Sequence, residues 1–81
     1  MDFGGALSLL RDHKTVARAG WNGKNMYLYY VGDHQNSPYI QHIVMVTAQG
    51  DHVPWLCSQT DMLAVDWVEM SVDPPATVLS P

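Results

Sequence analysis

Residues 54–63, with the sequence PWLCSQTDML, place four hydrogen-bonding side chains directly after a tryptophan and a cysteine. Ser58 and Asp61 have the spacing of a capping box, in which each side chain bonds a free backbone N–H at a helix start. The N–H groups of a helix start can also bind a phosphate, but the carboxylate of Asp61 would repel one there. A carboxylate is better suited to ribose hydroxyls or the N–H of a base. The segment therefore predicts a helix cap, or the wall of a pocket that contacts a sugar or a base.

Two tryptophans stand beside predicted turns and could stack on a flat ligand. Trp21 precedes the Asn22-Gly23 pair, and Trp55 lies at the end of a short β-favouring segment. Rings at such positions commonly line ligand pockets or pack between subunits. Arg18, on the strand that leads to Trp21, could supply a positive charge for a small anion or pair with an acidic neighbour. The sequence leaves the binding and the packing interpretation open.

The spacing of the reactive residues does not indicate a catalytic or metal site. Cys57 is the single cysteine, and no histidine has a local spacing that would make it the base for a thiolate. The four histidines include no pair at i, i+4 or at H-x-H spacing, and Cys57 has no C-x-x-C partner. We therefore expect neither a catalytic role for Cys57 nor a structural metal site.

The composition favours one small domain that associates with copies of itself. The chain has 81 residues, of which 15% are charged and 47% hydrophobic, and it contains three tryptophans and four tyrosines. Ordinary soluble domains contain about 25% charged residues. A chain this short buries only about 60% of its unfolded surface. Because surface buried between subunits would add stability, we expect a homo-oligomer.

Charge and hydropathy argue against binding to nucleic acid polymers and against membrane insertion. The net charge is −4, and all four basic residues lie in the first third of the chain, whereas affinity for DNA or RNA comes mainly from neutralised phosphates. No apolar segment approaches the length of a transmembrane helix, and the start MDFGG lacks a signal-peptide pattern. A single cysteine fits a reducing compartment. We expect a soluble, cytoplasmic protein.

The elements that would position these residues predict an α+β fold, with an N-terminal helix packed on a small antiparallel β-sheet. The helix is predicted from Phe3, Ala6 and Leu10, which recur on one helical face after a possible N-cap at Asp2. Asn22-Gly23 predicts a hairpin turn between two strands.

Five strands and one short helical turn are expected along the chain. The strands are predicted at 15–21, 25–31, 39–47, 52–56 and 67–72, and the helical turn lies within 58–66, before the last strand. Pro54 cannot donate to a strand ladder, so the fourth strand should lie at an edge of the sheet or end there. We predict one domain over residues 1–72 and a loose, proline-rich tail over 73–81.

Two long motifs resemble those of a known family. They are R-x-G-W-N-G-K, from Arg18 to Lys24, and V-P-W-x-x-S-Q-T-D-M-L-A-x-D-W, from Val53 to Trp67. With MDFGGAL at the start, the chain resembles the phage-encoded Thoeris anti-defence sponge proteins of the second type, formerly a domain of unknown function. The resemblance covers residues 1–69, in the same order and at similar spacing.

The resemblance implies a non-enzymatic phage protein that acts in the cytoplasm of the infected bacterial host. It implies a homotetramer that holds a cyclic ADP-ribose signal, notably glyco-cyclic ADP-ribose, in pockets at subunit junctions, so that the Thoeris effector is not activated. Alternatives are a sponge for cyclic di- or oligonucleotide signals of another defence system, a nucleotide-cleaving enzyme, and a purely structural oligomer. The positions that match the family's motifs, and that we expect to bind the ligand, are Arg18, Trp21, Asn22, Trp55, Ser58, Gln59 and Asp61.

The chemistry of these side chains suggests a role for each group. We expect Trp21 or Trp55 to stack on adenine and Arg18 to face the pyrophosphate. The polar side chains from Ser58 to Asp61 would form hydrogen bonds with ribose.

Overall fold

The computed structural model describes residues 1–21, 25–32, 40–70 and 72. It contains an N-terminal helix, five strands and a short helix before the last strand, which confirms the predicted α+β fold. In chain order these are α1 (Phe3–Arg11), β1 (Thr15–Arg18), β2 (Tyr27–Val31), β3 (His42–Val46), β4 (His52–Pro54), α2 (Gln59–Met62) and β5 (Trp67–Met70).

The strands form one antiparallel sheet in the order β4-β3-β2-β1-β5. The last strand pairs with the first, and Arg18 stands opposite Trp67 at one end of that pairing. Strand β4 lies at the opposite edge, where the missing N–H of Pro54 is tolerated, so the predicted edge position is confirmed. The pairing of β5 with β1 brings the two long motifs of the sequence to the same end of the sheet.

Helix α1 covers one face of the sheet. The Asp2 carboxylate accepts a hydrogen bond of 2.9 Å from the Gly5 N–H, which confirms the predicted N-cap. The apolar face of the helix packs into a core in which five residues are fully buried. They are Ala6, Leu10, Val16, Leu28 and Trp67.

A second apolar group, formed by Tyr29, Val44 and Val46, is also buried. The Tyr29 hydroxyl shares a hydrogen bond of 2.7 Å with Nδ1 of His52, and burial raises the pKa of the Tyr29 phenol. In the described part of the chain, no helix is long and apolar enough to span a membrane.

The strands are shorter than the sequence patterns predicted. Strand β1 ends at Arg18 instead of residue 21, because the chain turns there and the Trp21 N–H donates to the Arg18 carbonyl at 3.1 Å. Strand β2 begins at Tyr27, after Asn25 adopts a left-handed backbone with φ of 68°. The predicted turn pair Asn22-Gly23 and the predicted tail at 73–81 lie outside the described residues.

Candidate functional site

Arg18 lies where the two long motifs meet. Its Nε donates to Oδ1 of Asp66 at 2.8 Å, and its Nη1 donates to Oδ1 of Asp61 at 2.8 Å. Nη2 makes a longer bond of 3.5 Å to Oδ2 of Asp66. These three residues, which we call the Arg18 cluster, join the end of β1 to α2 and to the residue before β5. Two of the predicted ligand-binding residues, Arg18 and Asp61, are therefore in direct contact.

The Arg18 cluster is partly shielded from solvent and has a formal net charge of −1. The side chains of Arg18, Asp61 and Asp66 are 19%, 17% and 34% exposed. The two carboxylates, Asp66 first, raise the pKa of the Arg18 guanidinium. The hydrogen bonds from Arg18 lower the pKa of the Asp66 carboxyl, and the Gly20 N–H adds to this with a bond of 3.0 Å. Arg18 and Asp66 are therefore both charged at neutral pH.

The Arg18 cluster still has hydrogen-bonding capacity. A guanidinium has five N–H donors, and three of those on Arg18 are used within the cluster. Among the described residues, none donates to Oδ2 of Asp61. Two donors of Arg18 and one carboxylate oxygen of Asp61 could therefore bond a ligand that offers both acceptors and hydroxyl groups.

Asp61 is fixed through its backbone as well as its side chain. The Ser58 Oγ accepts from the Asp61 N–H at 3.1 Å, which confirms Ser58 as the N-cap of α2. The reciprocal half of the predicted capping box is wrong, because the Asp61 carboxylate turns to Arg18. The indole N–H of Trp67 donates to the Asp61 carbonyl at 3.0 Å. Ser58 and Gln59 are themselves exposed on the surface.

An aromatic cluster of Phe3, Trp21, Trp55 and Trp67 lies beside the Arg18 cluster. Trp67 is completely buried at its centre. The rings of Trp21 and Trp55 meet it edge-on, with centroid distances of 5.5 and 6.0 Å and interplanar angles of 79° and 85°. Trp21 and Trp55 each keep part of their surface accessible. Packing on Trp67 therefore covers part of each ring, and the part that stays accessible could stack on a flat ligand.

Trp55 also lines a cleft of about 380 Å³. Of the predicted ligand-binding residues that the structure describes, Trp55 alone lines it. The lining also offers one permanent cation, one histidine and two further rings. The full lining is Phe3, Leu7, Arg11, Tyr30, Gln41, His42, Ile43, Trp55 and Cys57.

Three of the predicted residues fall in these two regions, whereas Trp21, Ser58 and Gln59 belong to neither. Arg18 and Asp61 belong to the Arg18 cluster, Trp55 lines the cleft, and Trp21 packs on Trp67. Asn22 lies outside the described residues.

Sequence reasoning missed Arg11 and His42 in the cleft and the pairing of Asp66 with Arg18. Arg11 could have been found, because Phe3, Leu7 and Arg11 follow one another at four-residue spacing on one face of α1. The sequence offers no comparable signal for His42, which reaches the cleft from the start of β3.

Cys57 lines the cleft but is not activated as a nucleophile. Burial, and secondarily the charge of Asp61, raise the pKa of its thiol. The reactive form of cysteine is the thiolate, so a raised pKa keeps the side chain in its unreactive form at neutral pH. Across residues 1–21, 25–32, 40–70 and 72, no group of three or more His, Cys, Asp or Glu side chains is placed to hold a metal ion.

Comparison with known proteins finds a family match and a relative that each cover most of the chain. Residues 1–70 match the family described as the Thoeris anti-defense 2-like domain. A curated relative named Thoeris anti-defense 2, from Bacillus phage SP01, is 38% identical over 81 aligned positions. The alignment covers 83% of this chain and 91% of that relative. The family match extends from before α1 to the end of β5 and includes both long motifs.

Proposed function

This chain belongs to the Thoeris anti-defense 2-like family and has a phage anti-defence role, and we propose that it fulfils this role as a nucleotide sponge. In this proposal it binds a cyclic ADP-ribose signal, glyco-cyclic ADP-ribose, without cleaving it. Sequestration keeps the signal from the Thoeris effector in the cytoplasm of the infected host. The protein needs no cofactor for this function.

The observation that supports the proposal most is the contact of 2.8 Å between Arg18 and Asp61. The two side chains are 43 residues apart in sequence and come from the two motifs that the family resemblance singled out. A cyclic ADP-ribose presents ribose hydroxyls, a pyrophosphate and adenine. The site offers a partner for each of these parts: a carboxylate oxygen for ribose hydroxyls, two guanidinium N–H groups for the pyrophosphate, and two partly exposed indoles for adenine.

The proposed roles follow from the free atoms of each residue. Oδ2 of Asp61 accepts from a ribose hydroxyl, with Ser58 and Gln59 adding hydrogen bonds from the exposed start of α2. The remaining donors of Arg18 face the pyrophosphate. Trp21 or Trp55 stacks on adenine, and Asn22 belongs to the same site through its motif.

Charge is the main physical demand on such a site. The Arg18 cluster carries a net charge of −1 because one guanidinium faces two carboxylates, and a pyrophosphate adds about two further negative charges. A second cation is therefore required, and Arg11 at the cleft is the candidate. Trp55 would connect the two regions, because it lines the cleft and packs on Trp67, whose indole bonds Asp61.

The same geometry favours retention over cleavage. Cleavage of a cyclic nucleotide requires a general base or a nucleophile near the phosphate or the glycosidic bond. Asp66 is engaged by Arg18, and its lowered pKa makes it a weak base. Cys57 has a raised pKa, which keeps its thiol protonated at neutral pH. This set of side chains is suited to tight binding without turnover.

Oligomerisation belongs to the proposal. We expect a homotetramer whose ligand pockets lie at subunit junctions, because the cleft in the described part of one subunit is open to solvent. A subunit junction would surround the ligand on more sides and exclude water, which strengthens polar contacts.

The test is to incubate the protein with glyco-cyclic ADP-ribose, remove free ligand by gel filtration, denature the protein by heat and identify what is released. Intact glyco-cyclic ADP-ribose supports the sponge, and a cleaved product would establish an enzyme instead. Release of a cyclic di- or oligonucleotide from a parallel panel, without glyco-cyclic ADP-ribose, would favour a sponge for another defence system. Retention of no nucleotide would favour a purely structural oligomer.

A matched pair of variants locates the site. Asp61→Asn keeps the backbone contacts of Asp61 but removes its charge, and it should lower retention by roughly tenfold or more, as loss of a charged hydrogen-bond partner does. Asp51→Asn makes the same chemical change at an exposed turn outside the site and should retain ligand like the wild type. Equal retention by both variants would remove the Asp61 carboxylate from the ligand site and leave it only its ion pair with Arg18.

A further inference from the structure

Asp66 bonds Arg18, Ala19 and Gly20, consecutive residues where the chain leaves β1 and turns. Its backbone carbonyl accepts from the Ala19 N–H at 3.0 Å, and Oδ2 of its carboxylate accepts from the Gly20 N–H at 3.0 Å. The same carboxylate binds the Arg18 side chain through Nε, at 2.8 Å, and through Nη2, at 3.5 Å. One residue therefore holds both the backbone of the turn and the side chain of Arg18.

The strand pairing explains why Asp66 reaches this turn. Arg18 stands opposite Trp67 in the pairing of β1 with β5, so the next step of the antiparallel register places Ala19 opposite Asp66. The turn then closes, because the Trp21 N–H donates to the Arg18 carbonyl at 3.1 Å. The ring of Trp21 packs edge-on against Trp67, with 5.5 Å between centroids. Asp66 and its neighbour Trp67 thus contact both ends of the turn.

Gly20 allows the Asp66 carboxylate to approach the turn closely. Its φ lies outside the left-handed region, so its backbone conformation does not require a glycine. A methyl group at this position would lie 3.0 Å from Oδ2 of Asp66, closer than side-chain carbons ordinarily approach. The glycine of the motif R-x-G-W-N-G-K is therefore explained by the space that the carboxylate needs.

Both oxygens of the Asp66 carboxylate are engaged by the turn and by Arg18. Oδ1 accepts from Nε of Arg18, and Oδ2 accepts from the Gly20 N–H and from Nη2 of Arg18. Nη1 of Arg18 donates to Asp61. The donors of Arg18 that remain are one N–H on each terminal nitrogen. The bonds to Asp66 thus determine which edge of the guanidinium is left for a ligand.

We propose that Asp66 is a positioning residue of the ligand site: its carboxylate orients the guanidinium of Arg18 and holds the turn that carries Trp21, without itself bonding the ligand. This inference rests on the proposed sponge function, in which Arg18 faces the pyrophosphate and Trp21 or Trp55 stacks on adenine. Groups that are ordered before the ligand arrives lose less freedom on binding. Loss of the Asp66 carboxylate therefore weakens binding although the residues that face the ligand are unchanged.

The affinity for glyco-cyclic ADP-ribose, measured by isothermal titration calorimetry, tests this role. Asp66→Asn keeps the size of the side chain but offers one acceptor oxygen where the carboxylate offers two, so it cannot bond Arg18 and Gly20 at separate oxygens. It should raise the Kd roughly tenfold, the lower end of what loss of an orienting partner costs a metal site. The matched control is Glu69→Gln, the same chemical change at an exposed residue of β5, which should bind like the wild type.

Gly20→Ala tests the same contact from the other side and leaves Asp66 in place. The added methyl group displaces the carboxylate, so the Kd should rise severalfold. The matched control is Gly4→Ala, where the added methyl group would meet Oδ1 of Asp2 at 3.5 Å, an ordinary contact. This control should bind like the wild type.

The NMR signal of the Arg18 Nε–H reports the position of the guanidinium without any ligand. Arg11 and Arg18 are the arginines of the chain, so Arg11→Lys assigns the two Nε–H signals. Exchange of the Arg18 Nε–H with solvent should be slow in the wild type, because Asp66 accepts its hydrogen bond at 2.8 Å. It should be severalfold faster in Asp66→Asn and in Gly20→Ala, and unchanged in the two controls.

Circular dichroism verifies that each variant is folded during these measurements. Weaker binding and faster Arg18 exchange in folded Asp66→Asn and Gly20→Ala, but not in the controls, support the proposal; if Asp66→Asn does not fold, Gly20→Ala decides. Folded variants that bind like the wild type would overturn it and leave Asp66 a purely structural role. Weaker binding with unchanged Arg18 exchange would also overturn it and make Asp66 a direct ligand contact. A wild type that binds no glyco-cyclic ADP-ribose would overturn the sponge function and the positioning role together, whereas failure of the positioning role alone leaves the wild type binding.

Discussion

Replacement of Trp67 by phenylalanine should destabilise the protein by about 2 kcal/mol. Trp67 is completely buried at the start of β5, and its indole N–H donates to the Asp61 carbonyl at 3.0 Å. Phenylalanine keeps a ring against Phe3, which lies 5.5 Å from Trp67 between ring centroids. It removes the hydrogen bond to Asp61 and part of the ring volume.

Two contributions of similar size make up the expected loss. A hydrogen bond contributes about 1 kcal/mol net to stability. In the variant the Asp61 carbonyl keeps a weaker bond of 3.3 Å from the Ala64 N–H, so loss of the indole bond leaves no unpaired acceptor. The smaller ring leaves roughly 40 Å³ of empty volume, which costs about 1 kcal/mol at about 24 cal/mol per Å³.

Urea unfolding followed by circular dichroism, at one fixed protein concentration, measures this loss. For a chain this short the expected slope is about 1 kcal/mol per M, so the midpoint should fall by about 2 M. The matched control is Trp21→Phe, the same chemical change at a partly exposed ring whose indole N–H bonds none of the described residues. It should cost less than about 1 kcal/mol. Equal losses in the two variants, or a loss at Trp67 below about 0.5 kcal/mol, would refute the role given to the buried indole.

Three further predictions test separate features of the site. Ser58→Ala should lower unfolding free energy by about 1 kcal/mol, whereas Thr60→Ala, an exposed neighbour, should change it by less than about 0.5 kcal/mol in the same urea titration. Because the pKa of Asp66 is lowered in the folded state, its contribution to stability is present above about pH 4, the unfolded value, and is lost as pH falls through the lower folded value. Asp66→Asn should therefore reduce the loss of unfolding free energy that the wild type shows on acidification. An unchanged dependence of stability on pH in this variant would contradict the ion pair. The Cys57 thiol should react with iodoacetamide with a midpoint above about pH 8.5, and a lower midpoint would contradict its raised pKa.

The helix and the strands could be predicted because local patterns determine them. Asp2 is a recognisable N-cap, and the apolar residues of α1 recur with a helical period. The β-favouring segments around Leu28 and Val44 predict strands β2 and β3. The ends of the strands were harder to predict from the sequence. The turn after Arg18, for example, is fixed by a backbone hydrogen bond from the Trp21 N–H and not by a residue preference.

The centre of the candidate site depends on long-range pairing and could be predicted only in part. Local spacing identified Ser58 as a cap, but it suggested a reciprocal bond from Asp61 that the structure replaces with Arg18. That replacement requires β5 to lie beside β1, an order that no local pattern in the sequence encodes. The cleft likewise combines Arg11 from α1 with His42 from β3, which meet only when the helix packs on the sheet.

The central claim, that this protein removes an intact nucleotide signal, is tested most directly with the Thoeris effector as the detector. The protein is mixed with glyco-cyclic ADP-ribose, and effector activation is measured with the mixture before and after the protein is denatured by heat. We expect little activation before heating and full activation afterwards, because the ligand is released unchanged. Activation that stays low after heating would show that the signal had been destroyed, and full activation before heating would show that it had never been bound.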